Sequence, residues 1–119
     1  MKFTIPKRLP SWNLMWAGMK HWERTALKNE WKILTLAALP GDMILFTEPV
    51  IIQATTYAAR NPLDASNICL KPVEDTLIDH VLMDDSYKYV EEVRLRSRKC
   101  KTEKEERTEI HIWEVSDGM

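Results

Sequence analysis

The eight residues Val50-Ile-Ile-Gln-Ala-Thr-Thr-Tyr57 restrict the fold of this chain more than any other segment. Their density of β-branched side chains, unbroken by the polar alternation of a surface strand, reads as a mostly buried central strand. Pro49 precedes the run and Arg60-Asn61-Pro62 ends it. With 119 residues there is room for one core and not two, and 45% hydrophobic against 29% charged residues is the balance of an ordinary globule. One domain spanning residues 1–119 is expected.

Around this strand the hydrophobic period assigns the other elements. Phe3 and Ile5 alternate with Lys2 and Thr4 and meet Pro6, a short opening strand. Residues 7–19, rich in Trp and Met between Pro10 and Gly18, read as irregular. From Met19 to Leu39 the period becomes helical, with Trp22, Ala26, Trp31, Leu34 and Ala38 as the apolar side and Lys20, Arg24, Lys28 and Lys32 as a basic i, i+4 stripe. Pro40-Gly41-Asp42 breaks that helix, and residues 43–59 carry two β-rich runs parted by Thr47-Glu48-Pro49. A second helix is expected from Ser66 to Val81 on Leu70, Val73 and Leu77, although Pro72 forces it to start near Asn67 or to kink. Asp84-Asp85-Ser86 reads as a loop and residues 87–98 as a strand that aims Arg94, Arg96 and Arg98 at one face. The polar run 99–107 reads as a solvated hairpin tip, and Glu109 to Val115 as the closing strand, with 116–119 frayed. The class is α+β, a mixed sheet with two main helices.

Composition limits the chemistry. Cys69 and Cys100 form no CxxC pair and no disulfide framework, and His21, His80 and His111 have no zinc-ligand spacing. No apolar run approaches the roughly 20 residues of a membrane helix, and no secretory signal is visible, so a cytoplasmic protein with no membrane partner is expected. The net charge of −1 conceals segregation. Residues 1–32 hold seven Lys or Arg against two Glu, whereas residues 33–86 hold two against eight Asp or Glu. A basic flank around an acidic centre suits a cation site with a phosphate-attracting rim, and equally suits plain surface composition.

The second helix carries the densest polar pattern. At 100° per residue Asn67, Lys71 and Asp75 fall on one side, with Asp64 just ahead of the first turn. Asp84 and Asp85 follow that helix, and a chain doubling back would return one carboxylate to its start. Converging carboxylates with a lysine are what a divalent metal site for phosphoryl transfer requires. A solvated helix face capped by Asp64 or Ser66 accounts for the same residues. The basic stripe and the arginine row likewise have bland explanations, as a solvated face and a guarded sheet edge.

The stretch Asp64-Ala-Ser-Asn-Ile-Cys-Leu-Lys71, then Asp75 and Leu77, then Asp84-Asp85-Ser86 with Tyr89-Val90, resembles the D-x-D-N-x-x-x-K-x-x-x-D-x-L and D-D-S-x-x-V signature of the RusA family of Holliday junction resolvases, common in phages and prophages. His21-Trp22 with Arg24 on an early helix extends the likeness over nearly the whole chain. The resemblance implies a RusA-like homodimer that binds four-way DNA junctions and cuts them with Mg²⁺-activated water. It matches Asp64 and Asp85 to metal-binding aspartates, with Asp84 beside the second, Lys71 to the catalytic lysine, and Asn67 and Asp75 to supporting positions. Ser66 stands where the family places another metal-binding aspartate, and a neutral hydroxyl is a weaker ligand. Lys20, Arg24, Arg94 and Arg96 are the expected phosphate contacts. Two other functions compete: a junction-binding relative that has lost cleavage through Ser66, and a phage protein-interaction module.

Overall fold

The computed structural model describes residues 1–41, 45–82 and 89–118. The run of β-branched residues forms β2 (Val50–Ala58), an interior strand of a four-stranded mixed sheet in which β1 is Lys2–Ile5, β3 is Val90–Lys99 and β4 is Arg107–Glu114. The strand order is β1-β4-β2-β3, with β2 parallel to β3 and antiparallel to β4, and β4 antiparallel to β1.

One face of the sheet is apolar. Val50, Ile52 and Ala54 of β2, Ile110 and Ile112 of β4, and Phe3 and Ile5 of β1 are buried together with Trp31, Val73 and Leu77 from the helices. Two buried hydroxyls tie the segment after β1 to this sheet. The Leu9 N–H donates to Thr56 Oγ1 at 2.9 Å, and Thr108 Oγ1 donates to the Lys7 carbonyl at 2.7 Å.

The segment expected to be irregular contains a short helix, α1 (Trp12–Ala17). Ser11 starts it, its hydroxyl accepting the Leu14 N–H at 2.9 Å, and Gly18 stops it. The long helix, α2 (His21–Ala38), lies where the period puts it and ends before Pro40. Its inner face is Leu27, Trp31, Leu34, Thr35 and Ala38, with Trp31 fully buried. Trp22 corrects the expected apolar side, since it is 68% exposed along with Ile33. Nine residues at 100° each come to about half a turn, so Trp22 and Trp31 point opposite ways.

The second helix is shorter than expected. Ala65–Asn67 form a separate 3-10 turn, and α3 spans Lys71–His80 with Pro72 in its first turn. A proline there gives up no helical hydrogen bond, whereas a helix begun at Ser66 would have needed the Pro72 N–H and met the Ile68 carbonyl. Residues 68–70 are instead held by the segment before α1: Ile68 bridges Ser11, and the Cys69 N–H donates to the Pro10 carbonyl at 2.9 Å.

Residues 43 and 44 of the first β-rich run lie outside the described residues; of those described, Phe46 pairs, as an isolated bridge to Leu82. The tip at residues 99–107 is no hairpin, because β2 separates β3 from β4. Residues 100–106 arch over the end of β2: the Cys100 N–H donates to the Ala58 carbonyl at 3.0 Å, and the Ala59 N–H to Glu106 Oε2 at 2.8 Å. Within the arch Glu103–Glu105 form a 3-10 turn. Of residues 116–119, expected to be frayed, 116–118 belong to a 3-10 turn, Val115–Gly118, that continues from β4, and residue 119 lies outside the described residues.

Candidate functional site

Asp64, in the connection from β2 to α3, and Lys71, the first residue of α3, both lie on the crossover that makes β2 and β3 parallel. Ligands of open sheets gather at the carboxyl ends of parallel strands, and this connection leaves the carboxyl end of β2. Asp64 precedes the 3-10 turn in extended conformation, exposed, with no hydrogen bond or ion pair of its carboxylate among the described residues. Ser66 is also exposed and Asn67 half-buried. Because the helix begins only at Lys71, Asn67 does not share a helical face with Lys71 and Asp75. That part of the expected stripe is broken by Pro72.

Lys71 and Asp75 do come together. The Lys71 ammonium lies 3.1 Å from Asp75 Oδ1 and 4.0 Å from Glu74 Oε2. Asp75 thereby holds the amine from below, at the helix start where the first peptide N–H groups also point. Cys69 is buried beside this group. Burial pushes its thiol above the ordinary range, the backbone of Lys71 and the charge of Lys28 pull the other way, and Asp75 and Glu74 add to the rise. A thiol so placed is inert packing.

Asp84, Asp85 and Ser86 lie outside the described residues. Their described neighbours are anchored at the amino end of β2: Leu82 bridges Phe46, and the Val50 N–H donates to the Tyr89 carbonyl at 2.7 Å. Asp64 follows the other end of the same strand. Among the described residues there is no cluster of three or more His, Cys, Asp or Glu side chains able to hold a metal ion. Asp64 supplies one carboxylate of the oxygen type that Mg²⁺ takes, and the fit rests on Asp84 or Asp85 for the rest.

The expected phosphate contacts divide. Arg24 is engaged inside the protein, its guanidinium donating to the Met15 carbonyl at 2.6 Å and lying 5.1 Å from the Trp16 ring, so that it ties α1 to α2. Arg94 grips Glu92 at 2.9 and 3.3 Å, which holds the Glu92 carboxyl below its usual range. Lys20, at the start of α2, and Arg96, on β3, are exposed.

The second face of the sheet is one that sequence reading found only in part. Register places side chains there in four rows: Glu92, Ile51 and Trp113; Arg94, Gln53, His111 and Lys2; Arg96, Thr55, Glu109 and Thr4; Arg98, Tyr57 and Arg107. Arg107 lies 3.9 Å from the Tyr57 ring and donates to Glu109 Oε2 at 3.1 Å, while the Tyr57 hydroxyl donates to Glu109 Oε1 at 3.0 Å. Arg94 lies 5.4 Å from the Trp113 ring, and the His111 ring is 4.5 Å from the same indole. Burial lowers the His111 pKa, and Lys2 and the terminal amine lower it further. The arginine row was visible as an alternation in β3. Its partners on β2 and β4 follow only from the strand order.

No family model matches the chain, and no curated protein matches it.

Proposed function

We propose that this chain is a divalent-metal-dependent endonuclease acting on branched DNA, a RusA-like resolvase working as a cytoplasmic homodimer. The observation that carries the proposal is the placement of Asp64 and Lys71 on one crossover at the carboxyl end of the central strand, with the lysine steadied by Asp75. Asp64, with Asp85 and Asp84, would hold Mg²⁺, which supplies a polarised phosphate and an activated water. Lys71 brings an exposed ammonium to the helix start, where it orients a phosphate and offsets its charge. Two copies suit paired incisions, since a two-fold axis relates the cut strands of a junction. Among the described residues no helix is long and apolar enough to cross a membrane.

The test is incision of a four-way junction with and without Mg²⁺. Asp64→Asn and Asp85→Asn are expected to cut at least 100-fold more slowly while binding the junction within about twofold, because each removes a metal ligand and leaves the phosphate contacts. Lys71→Ala is expected to lose about 100-fold. Parental rates in all three variants overturn the assignment. Ser66 favours a second reading, junction binding without cleavage, which holds if the chain binds junctions but cuts only as Ser66→Asp.

A further inference from the structure

We infer that the open face of the sheet is a binding platform for single-stranded nucleic acid, with phosphates tracking along β3 and unpaired bases lying across β2 and β4. This extends the endonuclease proposal, whose expected phosphate contacts Arg94 and Arg96 lie on this face, and rests on none of its metal-site residues.

Charge is the first argument. The face carries Lys2, Arg94, Arg96, Arg98 and Arg107 against Glu92 and Glu109, a net excess of three positive charges in a chain whose total is −1. Both carboxylates are occupied by guanidinium groups of the face itself, Glu92 by Arg94 and Glu109 by Arg107. Lys2, Arg96 and Arg98 have no carboxylate partner among the described residues. Their charge is therefore uncompensated and is complementary to a polyanion.

Shape and chemistry select the form of that polyanion. Alternate residues of a strand are about 6.6 Å apart, so the row from Glu92 to Arg98 runs about 20 Å, and four strands span about 14 Å. A surface that wide does not enter the major groove of duplex DNA, about 12 Å across. Laid flat, it suits a strand whose bases are unstacked. Trp113 and His111 supply half-buried rings, and the Tyr57 ring carries the Arg107 guanidinium over one face, which together is the combination of stacking surface and cationic track used for single strands. Between β1, β4 and β2 the face dips into a depression of about 410 Å³ lined by Lys2, Thr4, Gln53, Thr55, Glu109 and His111. Amide, hydroxyl and carboxylate groups there match the donor and acceptor edge of a base freed from pairing.

Fluorescence polarisation with a labelled 12-residue oligodeoxythymidine and with a duplex of equal length, both in EDTA so that no cleavage intervenes, tests the inference. The single strand is expected to bind at least tenfold more tightly than the duplex. The double variant Arg96→Glu with Arg98→Glu is expected to weaken it at least tenfold and to flatten its salt dependence. The same charge change placed on α2, Lys28→Glu with Lys32→Glu, is expected to leave it within about twofold. Trp113→Ala is expected to lose about fivefold or more, and Trp113→Phe to restore most of that, which a purely electrostatic role would not do. Equal affinity for duplex and single strand, equal loss from the β3 and α2 reversals, or binding of neither nucleic acid overturns the inference. Because EDTA removes the metal, the outcome is separate from that of the incision assay.

Discussion

Ile52 and Gln53 are neighbours on the same strand, and they face different solvents. Ile52 is fully buried under the helices, in contact with an apolar set that includes Trp31 and Ile112, whereas Gln53 looks onto a charged and aromatic surface. Both faces of β2 are well populated, but on one side the neighbours exclude water and on the other they hold charge in it. Burial is concentrated on the first face, and the second is the one inferred to bind a partner.

The largest effects should come from erasing that contrast. Ile52→Ala is expected to cost about 2–5 kcal/mol in denaturant unfolding, the price of lost burial plus a cavity, while Gln53→Ala stays within about 0.5 kcal/mol. Similar losses from both would mean that the second face is also covered. Thr108→Val, on the buried side, removes the donor to the Lys7 carbonyl and is expected to cost about 1–3 kcal/mol, because that carbonyl is left without its partner. A chemical probe sharpens the comparison without mutation. Cys69 is buried and Cys100, in the arch, is partly exposed, so a thiol reagent is expected to label Cys100 within minutes and Cys69 only on unfolding. Equal rates would place the start of α3 in solvent.

The smallest effect belongs to His111. Its folded pKa lies below the ordinary value, so between the two the unfolded chain binds a proton that the folded chain refuses. Stability from this group is therefore present above about pH 6.5 and falls as the pH drops through that value. His111→Gln is expected to flatten the dependence of melting temperature on pH between about 7.5 and 5.5. An unchanged slope would assign the dependence to other groups.

What was legible in the sequence follows from what is local. β2 and α2 announce themselves because their hydrophobic periods run over many residues, and the breaks at Pro40 and Arg60-Asn61-Pro62 are chemical. Pro72 was visible as a conflict, but its resolution was not, since the helix start is set by Ser11 and Pro10, about 60 residues away in sequence. The exposure of Trp22 was recoverable from angular spacing alone, given that Trp31 takes the core. The order of the strands was not recoverable. Alternation shows which residues share a face of β4, but nothing local says that β4 enters between β1 and β2. For the candidate site, the sequence brought Lys71 and Asp75 together correctly because both fall within one true helix. It misplaced Asn67 for the opposite reason, and its pairing of Asp64 with Asp84 and Asp85 lies outside the described residues.

The seat of β4 has a consequence for how the molecule assembles. β1 and β2 each offer it an edge, and neither has another described strand on that side, so the last of the described strands is also the keystone of the sheet. Contacts such as Phe3 with Ile110 close loops of more than a hundred residues, and chains built on such distant pairings reach their native state slowly. Until that insertion the two halves carry bare, pairing-competent edges, and it is in this interval that the protein is most exposed to joining with its own kind.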